Sequence, residues 1–363
     1  MALLQMSLGV RRGIDWWTQD SEMGSPDRKW STLADTIPST RSSPMTSTAF
    51  SRRRLLALGL SAGTTTFLAA CSSDDSTPSL PGGSSSSPAG SASFDSIVKA
   101  GPTASGSDVS GNPWAKKVKD SGALRWGGTT TSSLFSLKDP STGAITGFDA
   151  GIVQLLSRYI FGGDDPMSTI KLTEVSVDTR ETLLENRSVD IVVATYSITD
   201  ERKTKISFAG PYYTSGVGIA VKKGATGIKS VTDLTGKVLV TQSNSTGLAA
   251  IKEHVKDPKQ VLTFSGNAEC QAAVVQGRAD AYVNDQALLF AASKQKGQIE
   301  VVGDTFTTDP YGIGVTKGDN DAVTFINGFL GKIVADGSWK KLWTYSFGAL
   351  RQGDVPTPPV VGA

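Results

Sequence analysis

Two rhythms of apolar and polar positions alternate along residues 124–345. Short β-branched runs, as in Asp190-Ile191-Val192-Val193-Ala194-Thr195, have the apolar density of a strand buried on both faces. Helical repeats stand between such runs, most clearly at Ile152, Leu155, Leu156, Tyr159 and Ile160. Strands are therefore expected at 124–128, 170–175, 190–195, 217–221, 238–241, 281–285 and 311–315. Helices are expected after residue 147, at 179–184, after 248, and over 269–276, 321–335 and 338–345. This alternation implies an α/β fold in which parallel strands are joined by crossover helices. Ligands of such sheets sit beyond the carboxyl ends of the strands. Two strand ends followed by helices stand out, Ala194-Thr195-Tyr196-Ser197 and Gln242-Ser243-Asn244-Ser245-Thr246.

At the first of these, Thr199 can cap a helix, Asp200 and Glu201 suit its positive end, and Arg202 follows at once. Backbone N–H groups beside a guanidinium form a receptor for a small carboxylate. An ordinary capped helix with a surface arginine fits these residues equally well, and simple capping would likewise account for Ser245 or Thr246.

The rhythm is absent from the first third of the chain. Arg52, Arg53 and Arg54 precede an apolar stretch at 55–67, and Leu68-Ala69-Ala70-Cys71 closes it. The stretch is too short for a comfortable membrane span. It resembles the signal peptide of a bacterial lipoprotein, cut before a cysteine that receives the lipid, and Ser51-Arg52-Arg53-Arg54-Leu55-Leu56 resembles a twin-arginine export signal. Residues 45–70 are thus expected to be a signal peptide, with Cys71 the lipidated mature N-terminus and 1–44 a non-native or extended leader ahead of Met45. Residues 71–115 are expected to form a tether. Ser, Pro and Gly dominate 72–93 and cannot bury enough surface to fold, and the mixed stretch 94–114 is assigned no structure.

Composition removes other classes. The 363 residues carry a formal net charge of +2, which gives no reason to expect a nucleic-acid partner. Two cysteines, Cys71 and Cys270, cannot form a disulfide framework or a four-ligand metal site, and one histidine, His254, leaves little room for His-dependent catalysis. No metal or cofactor is expected. Cys270 reads as a small buried hydrophobe.

Together the stretches at 189–211, 231–247, 277–285 and 311–315, with Gly147-Phe148-Asp149 before a helix, resemble the bacterial extracellular solute-binding proteins of family 3 over about residues 120–348. The resemblance implies a two-lobed type II periplasmic-binding-protein fold, each lobe a mostly parallel sheet flanked by helices, with the ligand cleft between lobes. Lobe 1 is expected at 120–215 and 309–350, lobe 2 at 216–308, and a loose tail at 351–363. It further implies that Arg202 grips the α-carboxylate of a free L-amino acid while Asp285 meets its ammonium group from the other lobe. Ala194, Thr195, Ser197, Ser245 and Thr246 would add neutral contacts. Family members carry a second acid soon after Gly-Phe-Asp, where this chain has Ala150 and Gly151.

Side-chain selection is expected at Arg180, whose setting Arg180-Glu181-Thr182-Leu183-Leu184 is similar to that of glutamate-binding members; a helix-surface arginine is the alternative. Thr129 opens the loop 129–133, a ligand-facing position where many relatives place an aromatic ring that this chain lacks. Glutamate is the favoured ligand, with aspartate, glutamine or asparagine as alternatives. The implied partners are an ABC permease with its ATPase and, through the lipid anchor, the outer face of the cell membrane, the protein acting as a monomer. Two competing readings are a cyclohexadienyl-dehydratase-like enzyme on the same fold and a ligand-sensing lipoprotein.

Overall fold

The computed structural model describes residues 92–349 and 354–362. The leader, the signal segment, Cys71 and the tether up to residue 91 lie outside the described residues. In chain order the elements are α1 (Phe94–Lys99), α2 (Gly106–Ser110), α3 (Pro113–Asp120), β1 (Leu124–Gly128), β2 (Thr131–Ser132), β3 (Ser136–Lys138), β4 (Ile145–Thr146), α4 (Phe148–Phe161), β5 (Ile170–Glu174), α5 (Arg180–Glu185), β6 (Ile191–Val192), α6 (Asp200–Lys205) and β7 (Ile206–Ser215). A second lobe follows with β8 (Val217–Lys222), β9 (Val238–Gln242), α7 (Thr246–His254), β10 (Gln260–Phe264), α8 (Asn267–Val275), β11 (Ala281–Asp285), α9 (Gln286–Lys296) and β12 (Ile299–Val302). The chain then returns through β13 (Asp309–Thr316), α10 (Asn320–Ala335) and α11 (Ser338–Phe347).

The two lobes repeat one topology. Lobe 1 has the strand order β5-β1-β6-β13-β7 and lobe 2 the order β10-β9-β11-β8-β12. In each sheet the first three strands are mutually parallel, the fourth runs against them, and the fifth pairs antiparallel with the fourth. The carboxyl ends of β6, β9 and β11 therefore lead directly into the segments singled out in the sequence.

The chain passes between lobes twice, from β7 to β8 and from β12 to β13. Gly216 sits in the first crossing, where a Cβ would lie 2.1 Å from the Thr307 carbonyl oxygen of the second. Only glycine lets the two connections run this close. Trp126, Phe148, Leu155 and Phe329 fill the core of lobe 1, and lobe 2 buries Leu239 and Val283 on one face of its sheet and Val240 and Tyr282 on the other. Each such side chain contributes about 1.5–3 kcal/mol by leaving water. Cys270 belongs to the latter face, and burial pushes its thiol up to about 12, which suits packing and not reactivity.

Two expectations are overturned. The C-terminal part of the supposed tether 71–115 is folded: Phe94, Ile97, Val98, Val109 and Trp114 are buried in the lobe 1 core, and Trp114 meets Phe325 at 5.9 Å between ring centroids. Gly and Pro interrupt this stretch because three short helices end and begin there, capped by Ser93, by the Ser105–Asp108 box and by Asn112 before Pro113. The tail is not loose at 354–362 either. Val355 and Val361 pack against lobe 1, and the Gly362 N–H donates to the Gly210 carbonyl at 2.8 Å. Among the described residues no helix is long and apolar enough to cross a membrane, and no cluster of His, Cys, Asp or Glu could hold a metal.

Candidate functional site

After β6 the chain turns sharply at Thr195, whose φ is +47°. A β-branched residue in the left-handed region stores about 1–3 kcal/mol of strain and persists only where its surroundings hold it. Here the Thr195 N–H donates to Asp149 Oδ2 at 2.8 Å, and the Thr195 hydroxyl donates to the Ala194 carbonyl at 2.8 Å. The next three residues lie along β13: Ile198 N–H donates to Pro310 O at 2.7 Å and Gly312 N–H to Tyr196 O at 2.9 Å. Thr199 then caps α6, accepting the Arg202 N–H at 3.2 Å.

Arg202 is 7% exposed. Its Nη1 donates to the Ser197 carbonyl at 2.8 Å and its Nη2 reaches across to the Asn244 carbonyl of lobe 2 at 3.1 Å. Arg180 is 5% exposed, so the helix-surface alternative does not hold. Its Nη1 lies 3.4 Å from the Ala194 carbonyl, and its buried Nε has no hydrogen-bond partner. Both guanidiniums pack against the ring of Tyr196, with Cζ 3.8 Å from the centroid for Arg180 and 5.2 Å for Arg202. Burial lowers both pKa values, and proximity to Arg202 lowers that of Arg180 further. Guanidiniums do not lose their proton in proteins, so the pair remains charged. Glu181, which acts electrostatically on both, is already taken by Lys205 at 2.8 Å and accepts from the Tyr196 hydroxyl at 3.4 Å. Two buried cations with so little compensation call for an added anion.

Lobe 2 contributes mostly neutral groups. Asn244, at φ +54°, turns the chain from β9 into α7. The Ser245 hydroxyl caps that helix, accepting the Leu248 N–H at 3.3 Å and donating to the Gln242 carbonyl at 2.7 Å. Gly247 permits this approach, since a Cβ there would meet the Val283 carbonyl at 2.7 Å. Ser245 and Thr246 face Arg202 across an interlobe groove of about 510 Å³. On the groove wall Asp178 of lobe 1 accepts from Asn244 Nδ2 at 2.5 Å, and its two oxygens each lie 3.4 Å from the Ser243 hydroxyl.

Asp285 ends β11 beside the crossing between lobes. Oδ1 accepts from the Ser215 hydroxyl at 2.7 Å and from the Ala287 N–H at 2.9 Å, whereas Oδ2 is buried without a partner. Burial raises its pKa to about 6, against the influence of the neighbouring Tyr311 and Ser215 hydroxyls. Asp309 has one oxygen on the Thr307 hydroxyl at 2.9 Å and the other buried and unpartnered, and the buried Tyr311 hydroxyl lacks a partner of ordinary hydrogen-bond geometry as well. Asp309 also acts electrostatically on both Asp285 and Arg202. Carboxylate oxygens left without a partner in this way can accept from a cation. The pairing of 196–198 with the start of β13 brings the two receptors together.

Several predicted positions thus converge. Arg202, Ser245 and Thr246 line the groove; Arg180 shares the Tyr196 ring with Arg202 without lining the groove itself, and Asp285 lies at the hinge side. Ala194 and Ser197 contribute carbonyls that hold Arg180 and Arg202. Thr129 is placed differently. Its carbonyl accepts from Ser136 Oγ at 2.5 Å, and none of its described contacts joins it to Arg202, Asp285 or Thr246. Sequence reasoning passed over Asp149, Asp178, Asn244, Asp309 and Tyr311. The one available signal for Asp309 was its position immediately before Pro310 and the returning strand.

A sequence profile of the bacterial extracellular solute-binding proteins, family 3, matches residues 124–349. An ABC transporter glutamine-binding protein of Bacillus subtilis, GlnH, is 35% identical over 227 residues, 62% of this chain and 81% of that protein. The glutamate-binding protein GluB of Corynebacterium efficiens is 32% identical over 222 residues, 58% of this chain and 74% of that protein. Among solved structures, an ancestral amino acid-binding protein described as a precursor of cyclohexadienyl dehydratase aligns with a TM-score of 0.57 at 33% identity, covering 64% of this chain and 99% of that one. The paired five-stranded sheets are those of the type II periplasmic-binding-protein fold, and the chain belongs to the bacterial extracellular solute-binding proteins of family 3.

Proposed function

We propose that this protein captures a free amino acid outside the cytoplasm, glutamate before glutamine, and delivers it to an ABC importer. The observation that carries the reading is the pair of buried guanidiniums on Tyr196. A dicarboxylic amino acid supplies two anions for two cations: its α-carboxylate for Arg202 and its side-chain carboxylate for Arg180. Its ammonium group fits the unpartnered oxygens of Asp285 and Asp309. Thr195, Ser197, Ser245 and Thr246 complete the site with neutral hydrogen bonds, and closure of the lobes strengthens every contact by excluding water. The names of GlnH and GluB support an amino acid of this length without separating acid from amide.

Export and lipidation at Cys71 would hold the binding lobes at the outer membrane face, where a permease and its ATPase accept the cargo. Binding, not turnover, is the proposed activity. The ancestral structure's link to cyclohexadienyl dehydratase makes prephenate the substrate with which to challenge it. Calorimetric titration with glutamate, glutamine, aspartate and asparagine tests the reading. Micromolar or tighter binding, about 8 kcal/mol or more, is expected, strongest for glutamate. Preference for glutamine would reassign Arg180, and no heat with any of the four, or turnover of prephenate, would overturn the proposal.

A further inference from the structure

Asp149 lies in the first turn of α4, is fully buried, and has no salt-bridge partner among the described residues. Its two oxygens are divided between two distant segments. Oδ2 accepts the Thr195 N–H at 2.8 Å, and Oδ1 accepts the Tyr212 hydroxyl at 2.7 Å. Tyr212 belongs to β7, which continues through Ser215, the residue that holds Asp285. A plain helix cap does not account for this arrangement, because the carboxylate bonds to no N–H of its own helix in the described contacts. The group it holds is the N–H of the strained residue at which the chain leaves β6.

We propose that Asp149 is a positioning residue that holds Thr195 in its left-handed turn and thereby sets the segment 194–197 on which both guanidiniums rest. The inference rests on the amino-acid-binding reading, since that segment matters through Arg180 and Arg202. The physical reason is local. Without an acceptor, the Thr195 N–H would be buried behind the turn unpaired, and the β-branched residue would relax toward φ below zero. Such relaxation would swing the Ala194 carbonyl away from Arg180 and alter the path to Ser197, which holds Arg202.

The test uses the full chain and two independent readouts. The first is hydrogen exchange at the Thr195 amide, which needs no ligand. In the wild type this amide, on a partly exposed residue, is expected to exchange at least a hundredfold slower than a free loop amide; exchange at the free rate overturns the proposal by itself. Asp149→Ala is expected to accelerate that exchange at least tenfold and to weaken glutamate or glutamine binding at least tenfold. Asp149→Asn, which keeps a carbonyl oxygen for Thr195, is expected to restore both within about threefold. Failure of the asparagine variant to rescue would assign the effect to general packing and overturn the proposal. The second comparison places Asp149→Ala on Thr195→Gly, where the left-handed turn needs no support. The loss of binding caused by Asp149→Ala should then fall by more than half, and full additivity of the two changes refutes the coupling. If the wild type binds neither amino acid, the ligand assignment fails while the exchange result still decides the role of Asp149.

Discussion

The two lobes share a topology, yet the strand ends they turn toward each other differ in chemistry. Lobe 1 presents Arg180 and Arg202, both buried and locked by carbonyls and by the Tyr196 ring. Lobe 2 answers with hydroxyls, an asparagine and a helix N-terminus at Ser245 and Thr246, its single acid Asp285 withdrawn to the hinge side. In the proposed reading one lobe is therefore a preformed anion receptor and the other a neutral cover. A buried charge is costly to move, so the cations belong on the lobe where short-range packing fixes them, while the lobe 2 groups that meet them, the Asn244 carbonyl on Arg202 among them, are neutral. The Asp178–Asn244 contact is exposed, and hydrogen bonds of this kind contribute little and break easily.

The comparison is broken most severely at its charged side. Arg202→Ala is expected to weaken amino-acid binding a hundred- to thousandfold, about 3–4 kcal/mol, as measured by calorimetry. Retained affinity would show that lobe 1 is not the anion receptor.

The acids differ in sign. Asp149 and Asp285 have folded-state values of about 6, above the ordinary carboxylate value of 3.8, because burial penalises ionisation. Between these values the folded state binds more protons than the unfolded state, so each group makes stability fall as pH rises from about 4 to about 6, with no further change above. The loss amounts to about 3 kcal/mol for one such group. Asp285→Asn removes its share: urea unfolding of the ligand-free variant should show a flatter pH profile and a higher midpoint at pH 7, while amino-acid binding weakens. A wild-type profile that rises from pH 4 to 6 to the same extent as the variant would contradict this assignment.

Selectivity is a smaller effect. Arg180→Met, which keeps packing on Tyr196 and removes the charge, is expected to cost about tenfold in glutamate affinity, about 1.4 kcal/mol, and to spare glutamine. An equal loss for both ligands would assign Arg180 to the support of Ala194 and Tyr196 alone. Smallest is the neutral cover: Ser245→Ala loses a helix cap and should lower stability by about 1 kcal/mol in thermal unfolding, with a binding loss below that of either arginine change.

Much of this site was legible because it is local. The β-branched run 190–195, the Thr199 cap and the Ser245 cap each follow from a few neighbouring residues, and the structure forms the caps where the pattern puts them. Arg180 was legible as a candidate only, since the same residues fit a surface arginine and its 5% exposure depends on elements far away in sequence. The helices at 94–120 were missed because each is shorter than the span over which a helical repeat becomes visible.

The sequence by itself determined the α/β alternation, the two strand ends that turn into helices, and the resemblance to a binding family, from which Arg202 and Asp285 follow as the proposed charged pair. Only the tertiary structure decided which groups those residues meet. Asp149 is read locally as an ordinary acid in the first turn of a helix, yet it supports Thr195, 46 residues away. Asp309 carries no local signal beyond its place before Pro310, yet its oxygen is left unpartnered near Asp285. Periodicity and capping are properties of neighbouring residues, whereas burial and unmet hydrogen bonds arise where distant segments converge, and it is these that set the electrostatics of the cleft.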